Sequence, residues 1–261
     1  AKLFLKHRYT KKACPTSVLD NVMYLFGGFQ LFQKSKVIHS ALVWRNPNTD
    51  KHYVININDK SPKLFHDYWT LNFLRTYADC IVTTGKTLRK EPHAFNRMIP
   101  TQLKLPTDVY FNHGKGKPLA ILTNKLEVPS GDSFKERLGN LNQVYFDPLY
   151  VKHIYTKNQV YDRYQAYLDS NQGQLVDIYD DKVAEEINKV FLGYEEKIKR
   201  EPGRVATSIH PMDNLQLHNV IDHLQQHHGY RQILVECGAS TTADYYNADL
   251  NFDGFRVDMD Q

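Results

Sequence analysis

Apolar positions along the chain change period several times, and each change marks an element. Leu64, Tyr68, Leu71, Leu74 and Ala78 recur at three- and four-residue spacing, which predicts an amphipathic helix over about 64–78. The β-branched run CIVTT at 80–84 follows at once and reads as a buried strand, closed by Gly85. Residues 37–43 (VIHSALV) and 52–57 (HYVINI) read as strands around the turn cluster RNPNTD at 45–50, and LAILT at 119–123 as another buried strand. The short run VYF at 144–146 is a further strand candidate. Near the end, Asp213 or Asn214 is placed to cap a helix carrying Leu217, Val220, Ile221 and Leu224, which His228-Gly229 stops. QILVE at 232–236 then reads as a strand, and residues 251–257 as a last one.

Residues 148–203 have a different texture, rich in Tyr, Lys, Asp and Gln. Val183, Ile187, Val190, Phe191, Tyr194 and Ile198 predict a long amphipathic helix closed by Glu201-Pro202-Gly203. The segment reads as a helical insertion, because strand–helix alternation resumes after it. The expected organisation is therefore an N-terminal extension, 1–36, and one domain, 37–261, interrupted by helices at about 148–203. Its alternating strands and helices predict an α/β sandwich around one mainly parallel sheet. No internal repeat is visible.

Composition narrows the function classes. With 33 Lys+Arg against 29 Asp+Glu the charge is +4 over 261 residues, too small to argue for a nucleic-acid partner. A hydrophobic fraction of 41% excludes wholesale disorder. Cys14, Cys80 and Cys237 are odd in number and far apart, which reads as reduced thiols and not as a disulfide framework or zinc pattern. No run of 18 apolar residues exists, so no membrane span is expected. The aromatic, Gly-broken segment 22–32 (VMYLFGGFQLF) follows the basic positions Lys2, Lys6, His7, Arg8, Lys11 and Lys12. It reads first as a strap on its own domain, and second as a docking segment for a partner or a membrane surface. The initial Ala1 fits a removed targeting peptide or an incomplete sequence, and a mitochondrial location is the expectation drawn from the basic start.

Two strand ends are candidates for chemistry. In CIVTTGKT (80–87) a strand runs into Gly85 and a helical start, an arrangement that leaves backbone N–H groups free for phosphate, with Lys86 adding charge and Thr87 a hydroxyl. The upstream glycine of a P-loop would fall at Cys80, so this is not one. The second end is ILVECGAST (233–241), where a strand meets Glu236 and Gly238. Side by side in a parallel sheet, the two would flank a nucleotide crevice. His223 and His227 stand at i, i+4, but no carboxylate or Cys completes a metal pattern, so the histidines read as a solvated helix end and no metal is expected. The tyrosines at 145, 150, 155, 161, 164 and 167 read as a partner-facing surface.

These residues also carry a family resemblance. LRTYADCIV at 74–82 resembles the L-R-x-x-A-D-A-I segment of the reductase domain of the bifunctional riboflavin-biosynthesis deaminase–reductase, the RibD C-terminal family. Glu91-Pro92 to Arg97 is similar to D-P-x-L-T-x-R, and 118–129 to P-x-R-V-V-L-D-x-x-L-x-x-P, with Asn124 where the family has Asp. ILVECGA at 233–239 resembles V-L-V-E-G-G-x, and 249–257 the strand that follows it. The matches cover roughly 37–131 and 205–257. The resemblance implies a dihydrofolate-reductase-like three-layer sandwich, usually dimeric, that binds NADPH and reduces the ribose of a pyrimidine ribosylamine phosphate. Carried over, Gly85, Thr87, Glu236, Gly238 and Ala239 would face the cofactor and Arg97 the substrate phosphate.

The departures lie in the implied site. The family's A-x-S-L-D-G has Ala41 in place here, but Val43 for Ser and Arg45 for Asp, a reversal of charge. Cys237 replaces a Gly and adds a side chain where pyrophosphate would approach. The expectation is therefore a non-catalytic relative that serves as an accessory subunit, with partners at the N-terminal segment and at 148–203. An active NADPH-dependent 5-amino-6-(5-phosphoribosylamino)uracil reductase is the alternative.

Overall fold

The computed structural model describes residues 20, 23, 37–39, 43–49, 52–54, 65–91, 118–127, 142–145, 150–170, 177–180, 182, 207–238, 240–242 and 245. In chain order they form β1 (Val37–His39), β2 (Val43–Arg45), β3 (His52–Val54), α1 (Phe65–Tyr77), β4 (Cys80–Thr84), α2 (Gly85–Lys90), β5 (Pro118–Leu122), a 3₁₀ turn (Gln143–Tyr145), β6 (Val151–Lys157), α3 (Asn158–Ser170), β7 (Thr207–Met212), α4 (Leu217–His228) and β8 (Ile233–Val235). Six strands make one sheet in the order β1-β8-β4-β5-β6-β7, every pairing parallel. This is the α/β architecture expected from the alternation. β2 and β3 form a separate antiparallel hairpin, Val43 opposite Val54, closed where Asn46 accepts the Asn48 N–H on its side chain at 2.9 Å and the Thr49 N–H on its carbonyl at 3.3 Å.

The pleat sorts the central strands into two cores. Ile81, Leu119, Ile121, Ile154 and Leu234 face one side, packed with Phe73 and Leu74 of α1, Leu88 of α2 and Tyr164 of α3. Val82, Ala120, Leu122, Tyr155, Ile233 and Val235 face the other, packed with Leu217, Val220, Ile221 and Leu224 of α4. Topology explains the division. The crossovers β4–α2–β5 and β6–α3–β7 advance across the sheet in one direction, and α1, between β1 and β4, advances the same way. Only β7–α4–β8 runs back, over three strands. A right-handed crossover that reverses direction must place its helix on the opposite face, which is where α4 lies.

Several expectations need correction. The stretch 37–43 is shared between two sheets, Val37–His39 being β1 of the large sheet and Val43 belonging to β2 of the hairpin, with residues 40–42 outside the described residues. Of the VYF run, Val144 and Tyr145 do not extend; Asn142 accepts the Val144 N–H on its side chain at 2.9 Å and the Tyr145 N–H on its carbonyl at 3.2 Å, which curls them into a 3₁₀ turn, and Phe146 lies outside the described residues. The segment 148–203 is not simply a helical insertion, because β6 and α3 lie inside it and β6 is an interior strand of the sheet. The α4 cap is Gln216 and neither Asp213 nor Asn214; Asp213 instead accepts from Asn158 at 2.6 Å. Gly229, in the left-handed region at φ 68°, ends α4 as expected. The helix at 183–198, the strand at 251–257 and, apart from Asp20 and Met23, the N-terminal extension lie outside the described residues. Among the described residues no helix is long and apolar enough to cross a membrane.

Candidate functional site

The two strand ends singled out by sequence are neighbours. β4 and β8 pair directly, Val82 opposite Val235, and the ladder continues as the Glu236 N–H donates to the Val82 carbonyl at 2.8 Å. On the other side of β4, Thr84 stands opposite Leu122, so β5 ends in the same row. Three parallel strands thus finish together, the position at which open α/β sheets place their ligands.

Local chemistry shapes each corner. Thr84 caps α2: its hydroxyl accepts the Thr87 N–H at 3.1 Å and lies 3.0 Å from the Thr87 hydroxyl. Thr123 ends β5 by a side-chain turn, accepting the Lys125 N–H at 3.2 Å and donating to the Lys125 carbonyl at 2.6 Å. Gly85 fits between these corners because a Cβ there would stand 2.6 Å from the Thr123 hydroxyl. Arg89, near the end of α2, pairs with the buried Glu127 at 2.5 Å.

A cavity of about 390 Å³ opens over this edge. Thr84, Lys86 and Arg89 contribute from the β4–α2 corner, Thr123 and Asn124 from the end of β5, and Ser240 and Thr241 from the segment after β8, with Leu122, Leu215 and Leu217 as the apolar part. Lys86 makes no ion pair among the described residues. With the Arg89 charge already balanced by Glu127 and no carboxylate among the lining side chains, Lys86, the hydroxyls and an amide leave one cation and several donors suited to an anionic oxygen-rich ligand. α2 is only six residues long and its Thr87 N–H is already bonded to its own cap, so side chains, and not a helix terminus, supply the donors.

None of the described residues expected to face a cofactor lines the cavity. Gly85 and Thr87 serve the corner itself. Glu236 is held by Arg75 of α1 in a two-pronged ion pair, Nε to Oε1 at 2.7 Å and Nη2 to Oε2 at 2.6 Å. Burial works against the Arg75 charge, but the Glu236 carboxylate outweighs it and the guanidinium pKa is raised. Gly238 is exposed, and its carbonyl accepts the N–H groups of Thr241 and Thr242 at 2.9 and 3.2 Å. Ala239 and Arg97 lie outside the described residues. The expectation that Cys237 intrudes on an approaching pyrophosphate is corrected: its thiol is buried against the α4 core, 3.8 Å from the Val82 carbonyl, and burial followed by the Glu236 charge pushes its pKa up to about 12.

Arg89, Thr123, Ser240 and Thr241 were missed. The signal available was the end of LAILTN, a third buried strand closing on a hydroxyl and an amide, once the parallel order sets it beside β4.

Fold and cleft together define an α/β protein whose candidate ligand site lies at the carboxyl edge of a parallel sheet. No protein-family model and no curated protein sequence matches the chain. Among solved structures it is similar to Acinetobacter baumannii RibD, form 2, at 10% identity and a TM-score of 0.39, over 87% of this chain and 47% of that one. It is similar also to Acinetobacter baumannii RibD, form 1, at 9% identity and a TM-score of 0.36, over 80% and 41%. The chain thus spans less than half the length of these RibD chains.

Proposed function

We propose that this chain binds a phosphate-bearing nucleotide of the NADPH class in the carboxyl-edge cleft, and that it does so as a non-catalytic accessory subunit. The observation that carries the binding half is the convergence of three parallel strand ends on a cavity bearing Lys86, unpaired among the described residues, and hydroxyl donors, its Arg89 balanced by Glu127, without a lining carboxylate. Support for the non-catalytic half comes from the departures. Val43 and Arg45 stand where the resemblance places Ser and Asp, and Glu236 is already neutralised by Arg75. Hydride transfer requires donor and acceptor held about 3–3.5 Å apart, and loss of the positioning groups removes that restraint. Of the tyrosines expected on a partner-facing surface, Tyr145, Tyr155 and Tyr164 are instead buried in the core, so the support for a protein partner there reduces to Tyr167, 45% exposed on α3. The basic N-terminal stretch supports a mitochondrial setting.

A thermal-shift titration tests both halves. NADPH at about 100 times its dissociation constant stabilises by about 2.7 kcal/mol, a rise of about 5 °C for a chain of this size. Lys86→Glu should abolish the rise without lowering the unliganded Tm. Absence of any shift at millimolar NADPH defeats the binding reading. Consumption of bound NADPH on adding a pyrimidine ribosylamine phosphate replaces the accessory reading with the reductase one.

A further inference from the structure

On the α4 face of the sheet, outside the residues that line the cleft, four histidines that the sequence scatters over 75 positions come together. His153 lies early in β6 and His210 in β7, diagonal neighbours through the pairs His153–Ser208 and Tyr155–His210. The last turn of α4 lays His228 over them, its ring centroid 4.1 Å from that of His153 and 5.5 Å from that of His210. One ring nitrogen from each of the three falls within 4.8 Å of the other two. His153 Nδ1 and His210 Nε2 are already 3.4 Å apart. Tetrahedral zinc with Zn–N bonds of about 2.0–2.1 Å sets its nitrogen ligands about 3.3–3.4 Å from one another. That pair needs no movement, and a modest rotation of the exposed-side ring of His228 completes the triangle.

We propose that His153, His210 and His228 form a three-imidazole site for a divalent transition-metal ion of the zinc class, tying β6, β7 and the end of α4 together. Two further observations point the same way. The His228 Nε2 is buried with no hydrogen-bond partner, an unmet polar atom beside two other imidazoles. The remaining nitrogen of His153, Nε2, is bonded to the Tyr230 hydroxyl at 3.0 Å, the outer-shell contact that fixes a ligand ring and its tautomer. The Ser208 hydroxyl, 3.1 Å from His153 Nδ1 and 2.9 Å from His210 Nε2, holds the two nitrogens side by side and must turn away for them to take the ion.

Burial first, then repulsion from neighbouring imidazoles, lowers the pKa of His153 to about 3 and of His210 to about 4, and burial then His227 lowers that of His228, a direction that favours neutral rings. His223, whose Nδ1 is held by the Tyr155 hydroxyl at 3.0 Å, flanks His210 at a ring separation of 5.0 Å.

The test uses the full, untagged chain stripped with chelator and titrated with zinc chloride alone. One equivalent should bind with micromolar or tighter affinity and raise Tm by several degrees. Cobalt(II) in its place should give the intense visible bands of a tetrahedral site. His210→Gln and His228→Gln should each weaken zinc binding 10–100-fold while the circular dichroism of the fold is kept, and His218→Gln, outside the cluster, should not. Failure to bind zinc at tenfold excess, or binding that survives both cluster variants, overturns the proposal. So does binding lost on replacing His227, whose ring lies against His223, and unaffected by His210→Gln. Because the cleft variant Lys86→Glu leaves every cluster residue in place, zinc affinity should be unchanged in it, and failure of the nucleotide reading is separable from failure of this one.

Discussion

Gly85 and Gly238 both follow a buried parallel strand, yet a side chain would be felt at only one of them. A Cβ at Gly85 meets the Thr123 hydroxyl at 2.6 Å and its Cβ at 2.9 Å, whereas nothing lies within 4 Å of one at Gly238. Gly85→Ala should therefore cost about 1–3 kcal/mol, as overpacking does, and Gly238→Ser less than about 0.5 kcal/mol. Urea unfolding with an unchanged m-value reads both. Equal costs would contradict the packing role given to Gly85. The Cys237 thiol, with its pKa near 12 and its side chain in the core, should resist alkylation. With Cys14 replaced by Ser, native protein at pH 8 should take up no thiol reagent and unfolded protein two equivalents. Rapid native labelling that nucleotide blocks would instead put the thiol in the cleft.

Among elements, the strands buried on both faces were the legible ones. CIVTT, LAILT and QILVE are short apolar runs bounded by breakers, and they are β4, β5 and β8 within a residue at each end. β6 was hidden because Lys152 and His153 interrupt its pattern, yet both are buried, at 1% and 4% exposure. β7 was hidden for a different reason: Pro211 reads as a breaker, but β7 pairs only with β6 among the described strands, and an edge position tolerates the missing N–H. The imidazole cluster could not be read from spacing at all, since it depends on the register of these two unrecognised strands. Asp79 shows the converse, a motif residue whose work is structural. Its carboxylate accepts the N–H groups of Arg231 and Gln232 at 2.8 and 2.9 Å and fixes the start of β8 beside β4. Asp79→Ala should lower stability by about 1–3 kcal/mol, measured by urea unfolding, with Asp79→Asn recovering part of it. A neutral Asp79→Ala would mean the β8 register is set elsewhere.

At the scale of the whole molecule, one ion pair and one cleft connect the layers. Arg75 reaches from α1 to Glu236 just beyond β8, with side-chain exposures of 18% and 11%. Removing one partner leaves the other charge without compensation, so Glu236→Ala should cost about 3 kcal/mol in a urea titration while changing nucleotide affinity little. The reverse pattern, unchanged stability with lost affinity, would return Glu236 to the ligand. The central claim is that nucleotide binds where β4, β5 and the segment after β8 converge. Hydrogen exchange with saturating NADPH tests it most directly. Slowed exchange should be confined to residues 84–89, 122–125, 215–217 and 240–242, and the histidine-bearing strands β6 and β7 should exchange as before. Protection centred on any other edge of the sheet, or none at saturation, would contradict it.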